Sequence, residues 1–124
     1  SVDRTAIHPS KRFLGAARNV DGGGSLTVIA TIAVETGSAT DEIIYEELGD
    51  TANLELRLDR AAAVRRIFPA VDIGRSATLN EELLFSDDEL EESHALRRRL
   101  ASVADAPDAE PAADLQALLD EIAR

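Results

Sequence analysis

Catalytic and ligand-binding sites need particular residue types at particular spacings, and this sequence holds few of them. It has no Cys, which excludes thiolate chemistry and disulfides and fits a reducing interior. Its two histidines, His8 and His94, lie far apart with no metal-ligand spacing around either. There is no G-x-x-x-x-G-K-[ST], so the backbone cradle and lysine that hold a β/γ-phosphate are missing. Gly22-Gly23-Gly24 precedes an apolar run, whereas a phosphate loop follows a strand and opens a helix, so this triplet reads as a connector. Glu81-Glu82, Asp87-Asp88-Glu89 and Glu91-Glu92 fall where helices begin, and negative charge suits that end of the dipole. They read as solvated helix faces, and no metal site is expected. Arg97-Arg98-Arg99 reads as the offset at the opposite end of the same helix.

Two features go further. Arg65-Arg66-Ile67-Phe68-Pro69-Ala70-Val71-Asp72 puts two cations, an aromatic and a proline at a strand start. An exposed Phe68 beside such a loop can stack on a base, and a buried one can pack in a core; composition leaves both open. Glu35-Thr36-Gly37-Ser38 leaves the carboxyl end of the most apolar segment, where ligands of open α/β sheets collect.

Bulk properties narrow the partners. Net charge is −11, with one lysine and twelve arginines, so the chain as a whole should repel a phosphate backbone. No apolar run approaches the ~20 residues needed to cross a bilayer. Ser1-Val2-Asp3-Arg4 is not a signal peptide, and a cytoplasmic location is expected.

The elements that must carry these residues alternate in type. Pro9 suits the first turn of a helix over Lys11–Ala17, followed by a break at Asp21–Gly24. Leu26–Val34 is β-branched and almost wholly apolar, as a strand covered on both faces would be. Ser38-x-x-Asp41 caps a helix to Leu48. Leu54–Leu58 alternates as a half-exposed strand, Asp59–Arg66 is a short helix, and Phe68–Ile73 is a last short strand. Thr78-x-x-Glu81 caps a short helix through Leu84, and Ser86-x-x-Glu89 forms a full capping box for a helix to about Val103. After a linker, Pro111 starts a last helix with Leu115, Leu118, Leu119 and Ile122 on one face. The pattern is that of an α/β sheet with a C-terminal helical tail, divided at residues 1–85 and 86–124.

Several words of the sequence, in order, resemble the C-terminal part of the bacterial transcription termination factor Rho family of hexameric RNA-dependent ATPases and helicases. They are Pro9-Ser10-Lys11-Arg12-Phe13-Leu14-Gly15-Ala16-Ala17-Arg18-Asn19, Gly23–Thr31, Glu35–Ser38, Asp41–Glu47 and Asn53-x-Glu55-Leu56-x-Leu58-x-Arg60. Arg66–Asp72, Arg75-Ser76 and Glu81–Leu84 complete the series. The likeness runs from Val2 to about Leu84 and is fainter beyond.

The resemblance implies a partial RecA-like (P-loop NTPase) sheet. Walker A, Walker B, most of the first pore loop and an RNA-binding domain would lie before Ser1. It implies ATP and Mg2+ as cofactors of the full-length family, RNA and the transcription complex with RNA polymerase as partners, and a homo-hexamer. Phe68 matches the aromatic that stacks on adenine, and Arg66 an arginine beside it. Glu35, Thr36, Gly37, Ser38 and Ala39 match the second pore loop, which grips RNA.

The departures are specific. The family's pore-loop lysine is here Ala39, and another cation is lost at Gly49. The arginine finger, which contributes on the order of 10³ or more to turnover in related ATPases, is here Leu79. Three readings follow: part of a working translocase, part of a degenerate ring subunit, or a stand-alone interaction domain. Alone, the chain is expected to show no ATPase activity and to bind no nucleotide cofactor.

Overall fold

Proline lacks an N–H and has its φ already set, so it belongs in a first turn. Helix α1, His8–Leu14, carries Pro9 there and follows a 3-10 turn over Arg4–Ile7. The helix therefore begins before Lys11 and ends before Ala17. The computed structural model describes residues 4–124; the expected start of the Rho likeness at Val2 lies outside them. The chain divides into two units, Ser1–Ala52 and Asn53–Arg124.

In the first unit, β1 (Arg18–Asn19) and β2 (Ser25–Leu26) form an antiparallel hairpin, with Arg18 opposite Leu26 and Asn19 opposite Ser25. The connector turns tightly: Val20 N–H donates to Gly24 O (2.9 Å) and Gly23 N–H to Val20 O (3.1 Å). Gly22, Gly23 and Gly24 all have positive φ, which an L side chain would resist. Helix α2, Ala39–Gly49, packs with α1, and Lys11 Nζ meets Glu47 Oε2 at 3.3 Å.

The long apolar strand expected over Leu26–Val34 does not form. Only Leu26 pairs, residues 27–34 have no regular structure, and Ile29 is 91 % exposed. A strand is stabilised by its neighbours across the sheet, not by its own propensity. Among the described residues none lies beside this one.

In the second unit, β3 (Leu54–Glu55) pairs antiparallel with β4 (Ala77–Thr78), placing Leu54 opposite Thr78 and Glu55 opposite Ala77. Helix α3 spans Arg60–Val64. The expected strand Phe68–Ile73 is reduced to a single bridge between Leu58 and Val71. Thr78 does not cap a helix, because it is spent in β4. A 3-10 turn over Glu81–Leu83 follows left-handed Asn80, with no side-chain cap. Helix α4, Asp87–Ala104, starts at the expected capping box, where Ser86 N–H and Oγ–H donate to Glu89 Oε2 at 2.9 and 2.7 Å. These bonds also hold the Glu89 carboxyl below its usual pKa.

Helix α5, Ala113–Ile122, packs on α4. Leu100 (3 % exposed) and Leu115 (2 %) supply the buried contact, while Ile122 at the end of the stripe is exposed. The chain is mixed α/β. Among the described residues its strands make two separate antiparallel pairs, not the single α/β sheet expected.

Candidate functional site

The segment around Arg66 and Phe68 is built by a helix end. Asp59 caps α3 through Oδ1, which accepts from Ala61 N–H at 2.7 Å. At the other end Arg66 N–H donates to Ala63 O (3.1 Å) and Ile67 N–H to Ala62 O (3.0 Å). This pair of bonds is a Schellman motif, whose pivotal residue must be left-handed and is usually glycine. Here the pivot is Arg66, with φ 61°. A non-glycine residue there costs about 1–2 kcal/mol. Ala62, fully buried, anchors the motif from within.

The chain then passes the cis Phe68–Pro69 peptide and returns along residues 57–59. Asp59 N–H donates to Ala70 O (2.9 Å) and Asp72 N–H to Arg57 O (2.8 Å). Phe68 is not in the core; it is 58 % exposed. Of the two adjacent cations, Arg65 pairs with Glu110 at 2.7 Å, while Arg66 forms no ion pair among the described residues.

Asp72 organises the next turn. Its Oδ1 accepts from Arg75 N–H (2.8 Å) and its Oδ2 from Arg75 Nε–H (2.6 Å). Burial opposes the Asp72 charge, but the Arg75 hydrogen bonds and the charges of Arg75 and Arg57 outweigh it, and the carboxyl lies below its usual pKa. Ser76 Oγ–H donates to Asp72 O (2.5 Å) and accepts from Arg57 N–H (2.9 Å). From α4, Arg97 Nη1 donates to Ile73 O (3.3 Å) and Ser76 O (3.1 Å). Leu79 follows β4, 60 % exposed, with its N–H donating to Asn53 O at 2.8 Å.

Glu35–Ala39 belongs to the other unit. Glu35 (φ 56°) and Gly37 (φ 76°) bend the chain into α2. Thr36 Oγ1 donates to Asp41 Oδ2 (2.7 Å) and accepts from Ser38 N–H (3.2 Å). Ser38 Oγ accepts from Asp41 N–H at 3.4 Å, which is the cap expected from the spacing. Both hydroxyls of the loop are thus engaged in starting a helix. Ala39 begins that helix and adds no charge.

The structure brings Arg66 and Phe68 onto one turn, with Leu79 later in the same unit. Sequence reasoning missed two supports, the Asp72–Arg75–Ser76 turn and Arg97. The first was legible as an aspartate whose side chain closes its own turn. The second was misread: Arg97, Arg98 and Arg99 precede the last turn of α4, so the dipole account fails. Arg97 clamps a turn, and Arg99 pairs with Glu121 of α5 at 2.6 Å. His94, given no partner by spacing, meets Glu81 Oε1 through Nε2 at 2.5 Å. Among the described residues no three acidic, His or Cys side chains cluster as a metal site, and no helix is long and apolar enough to cross a membrane.

No known family profile matches the chain. Individual proteins do. Transcription termination factor Rho of Mycobacterium tuberculosis is 58 % identical over 102 residues, covering 82 % of this chain and 17 % of that protein. Rho of Mycobacterium leprae is 58 % identical over the same length. Rho of Pseudomonas aeruginosa is 57 % identical over 99 residues, covering 80 % of this chain and 24 % of that protein. The chain therefore spans about a fifth of the length of these relatives.

Proposed function

The chain is a sequence relative of a segment of transcription termination factor Rho, and from that premise we propose that it supplies the base-facing and pore-facing parts of an ATP-dependent RNA translocase that terminates transcription. The observation that carries the reading is the Arg66–Phe68 turn. An aromatic and an unpaired cation are held outward on a strained helix end, where burial would have served stability better. Stacking of adenine on Phe68 uses the ring's exposed face, and Arg66 adds charge beside it.

In this reading residues 1–85 form the C-terminal half of a RecA-like core and residues 86–124 its helical tail. ATP and Mg2+ bind in the complete protein, where Walker A and Walker B are supplied by other residues. RNA passes the Glu35–Ala39 loop, the subunits assemble as a homo-hexamer, and the complex meets RNA polymerase in the cytoplasm. The chain alone is inactive, because it has no phosphate cradle.

A second reading is favoured by Leu79 and Ala39. Leu79 is exposed where a finger would stand, yet a leucine stabilises no developing charge. A ring subunit with these residues would keep contacts and lose turnover. The test is a chimera in which this chain replaces the matching segment of Mycobacterium tuberculosis Rho. RNA-stimulated ATPase that is weak with Leu79 and rises at least tenfold with Leu79→Arg supports the first reading with a missing finger. A silent chimera that Leu79→Arg leaves silent, though it still forms rings and binds ATP, supports the second. Loss of ATP binding on Phe68→Ala is expected under both; unchanged binding removes Phe68 from the site.

A further inference from the structure

We propose that His94 and Arg97 of α4 are positioning residues, which bracket the segment from Ser76 to Glu81 and so fix the place and direction of position 79. The proposal rests on the ATPase reading of this chain and adds to it a role for the helical tail.

Position 79 follows a strand too short to hold itself. β4 is paired with β3 through Ala77 and Thr78 alone, and Leu79 N–H extends the ladder by one bond, to Asn53 O at 2.8 Å. Two short strands by themselves are marginal in water. The ladder fixes one edge of the segment and leaves its ends to be held by something else. Upstream lies the turn closed by Asp72 and Ser76. Downstream the chain bends sharply through left-handed Asn80 (φ 53°) into the 3-10 turn over Glu81–Leu83, which has no side-chain cap.

Helix α4 holds both ends. Arg97 Nη1 donates to Ile73 O (3.3 Å) and to Ser76 O (3.1 Å), the carbonyl immediately before β4. His94 Nε2 meets Glu81 Oε1 at 2.5 Å, two residues after Leu79. His94 and Arg97 are three residues apart within α4, so they stand on one face of the helix. That face spans residues 77–80, with one foot on each side of them. Its base is firm, because α4 is anchored on α5 through buried Leu100 and Leu115. All the groups of the bracket lie between Ile73 and Arg97, so it is complete within one unit of this chain. A cation that reaches a phosphate must be placed within a fraction of an ångström, and a displacement of about 1 Å costs on the order of 10²-fold in rate. Side chains that never meet the nucleotide can therefore govern turnover by fixing residue 79.

The restraint is read with a nitroxide on Leu79→Cys, since the chain has no cysteine of its own. Arg97→Ala and His94→Ala should each shorten the label's rotational correlation time. A label on Val64→Cys, exposed in α3 of the same unit, should not respond. Arg97→Lys and His94→Gln, which keep a donor, should restore most of the restraint. Turnover is read in the chimera with Mycobacterium tuberculosis Rho. With Leu79→Arg in place, Arg97→Ala should lower kcat by a factor roughly tenfold larger than it does with Leu79 kept, while KM for ATP changes by less than about twofold. A residue that only stabilised the fold would lower kcat alike in both backgrounds. Equal falls in the two backgrounds, or a label at position 79 as restrained in both alanine variants as in the parent, would overturn the proposal. A chimera in which Leu79→Arg raises nothing removes the missing-finger reading instead, and the label alone then decides whether α4 holds this segment.

Discussion

Arg66→Gly should make the 124-residue chain more stable, although it deletes a long charged side chain. Arg66 sits at φ 61° as the pivot of the motif that ends α3. Holding a residue with a Cβ in that conformation costs about 1–2 kcal/mol. Glycine removes that strain and returns about 0.5–1 kcal/mol through the greater freedom of its unfolded chain. The net expectation is a gain of about 1 kcal/mol. The Arg66 side chain is exposed, so its own contacts subtract little. Arg66→Ala is the matched control, because it removes the same charge and keeps the strained φ; it should lie within about 0.5 kcal/mol of the parent. With a urea slope of about 1–3 kcal/mol per molar, the glycine variant should unfold at a midpoint higher by about 0.3–1 M. Urea titration followed by circular dichroism at 222 nm reads this directly. A glycine variant no more stable than the alanine variant would refute the reasoning, because the left-handed pivot would then carry no cost. In the Rho chimera both variants should weaken ATP binding, so stability and function would move in opposite directions for glycine alone.

Leu115→Ala should cost about 2–4 kcal/mol, because its side chain is almost fully enclosed between α4 and α5; thermal melting checks it, and a loss under 1 kcal/mol would mean that the two helices close the gap. Asp72 has a depressed carboxyl pKa, so its stabilisation is present above its unfolded value near 3.8 and is lost as pH falls below it. Asp72→Asn should therefore be less stable than the parent at pH 7, with the difference shrinking through the acid range below pH 4; a gap that widens on acidification would reverse the sign and sink the assignment. Arg97→Ala should cost about 1.5–3 kcal/mol through loss of its two charge-assisted bonds, and amide exchange should rise at Ser76 and Ala77; unchanged exchange there would show that the turn closes without the clamp.

What could be read from the sequence was what short-range rules decide. Pro9 marks a helix start through its fixed φ, Ser38 and Ser86 through hydrogen bonds within a few residues, and each helix begins close to its mark. The strands were another matter. Leu26–Val34 has strand composition, but a strand exists only where a neighbour accepts its backbone bonds, and that neighbour is not encoded in the segment itself. β4 was missed for the opposite reason: two residues, Ala77 and Thr78, carry no period to detect, and Asn53–Glu55 recruits them from far along the chain. Within the candidate site, the identities of Arg66 and Phe68 were visible through family likeness. The strain at Arg66 was not, because arginine in place of the expected glycine hides the helix end. Arg97 lay beyond reach because its partners are main-chain carbonyls of residues more than twenty positions earlier.

The arrangement of Thr36 and Ser38 sets a condition on anything that binds their loop. Their hydroxyls already serve Asp41 at the head of α2. Thr36 spends its proton on Asp41 Oδ2, whereas Ser38 only accepts, so a ligand that takes the Thr36 proton removes a stay from the first turn of α2 and one that accepts from Ser38 does not. Occupancy of the first kind would then register along the helix toward Tyr45 as fraying of its leading amides. The loop and the helix share the Thr36 proton, and a ligand that holds it would loosen the helix start.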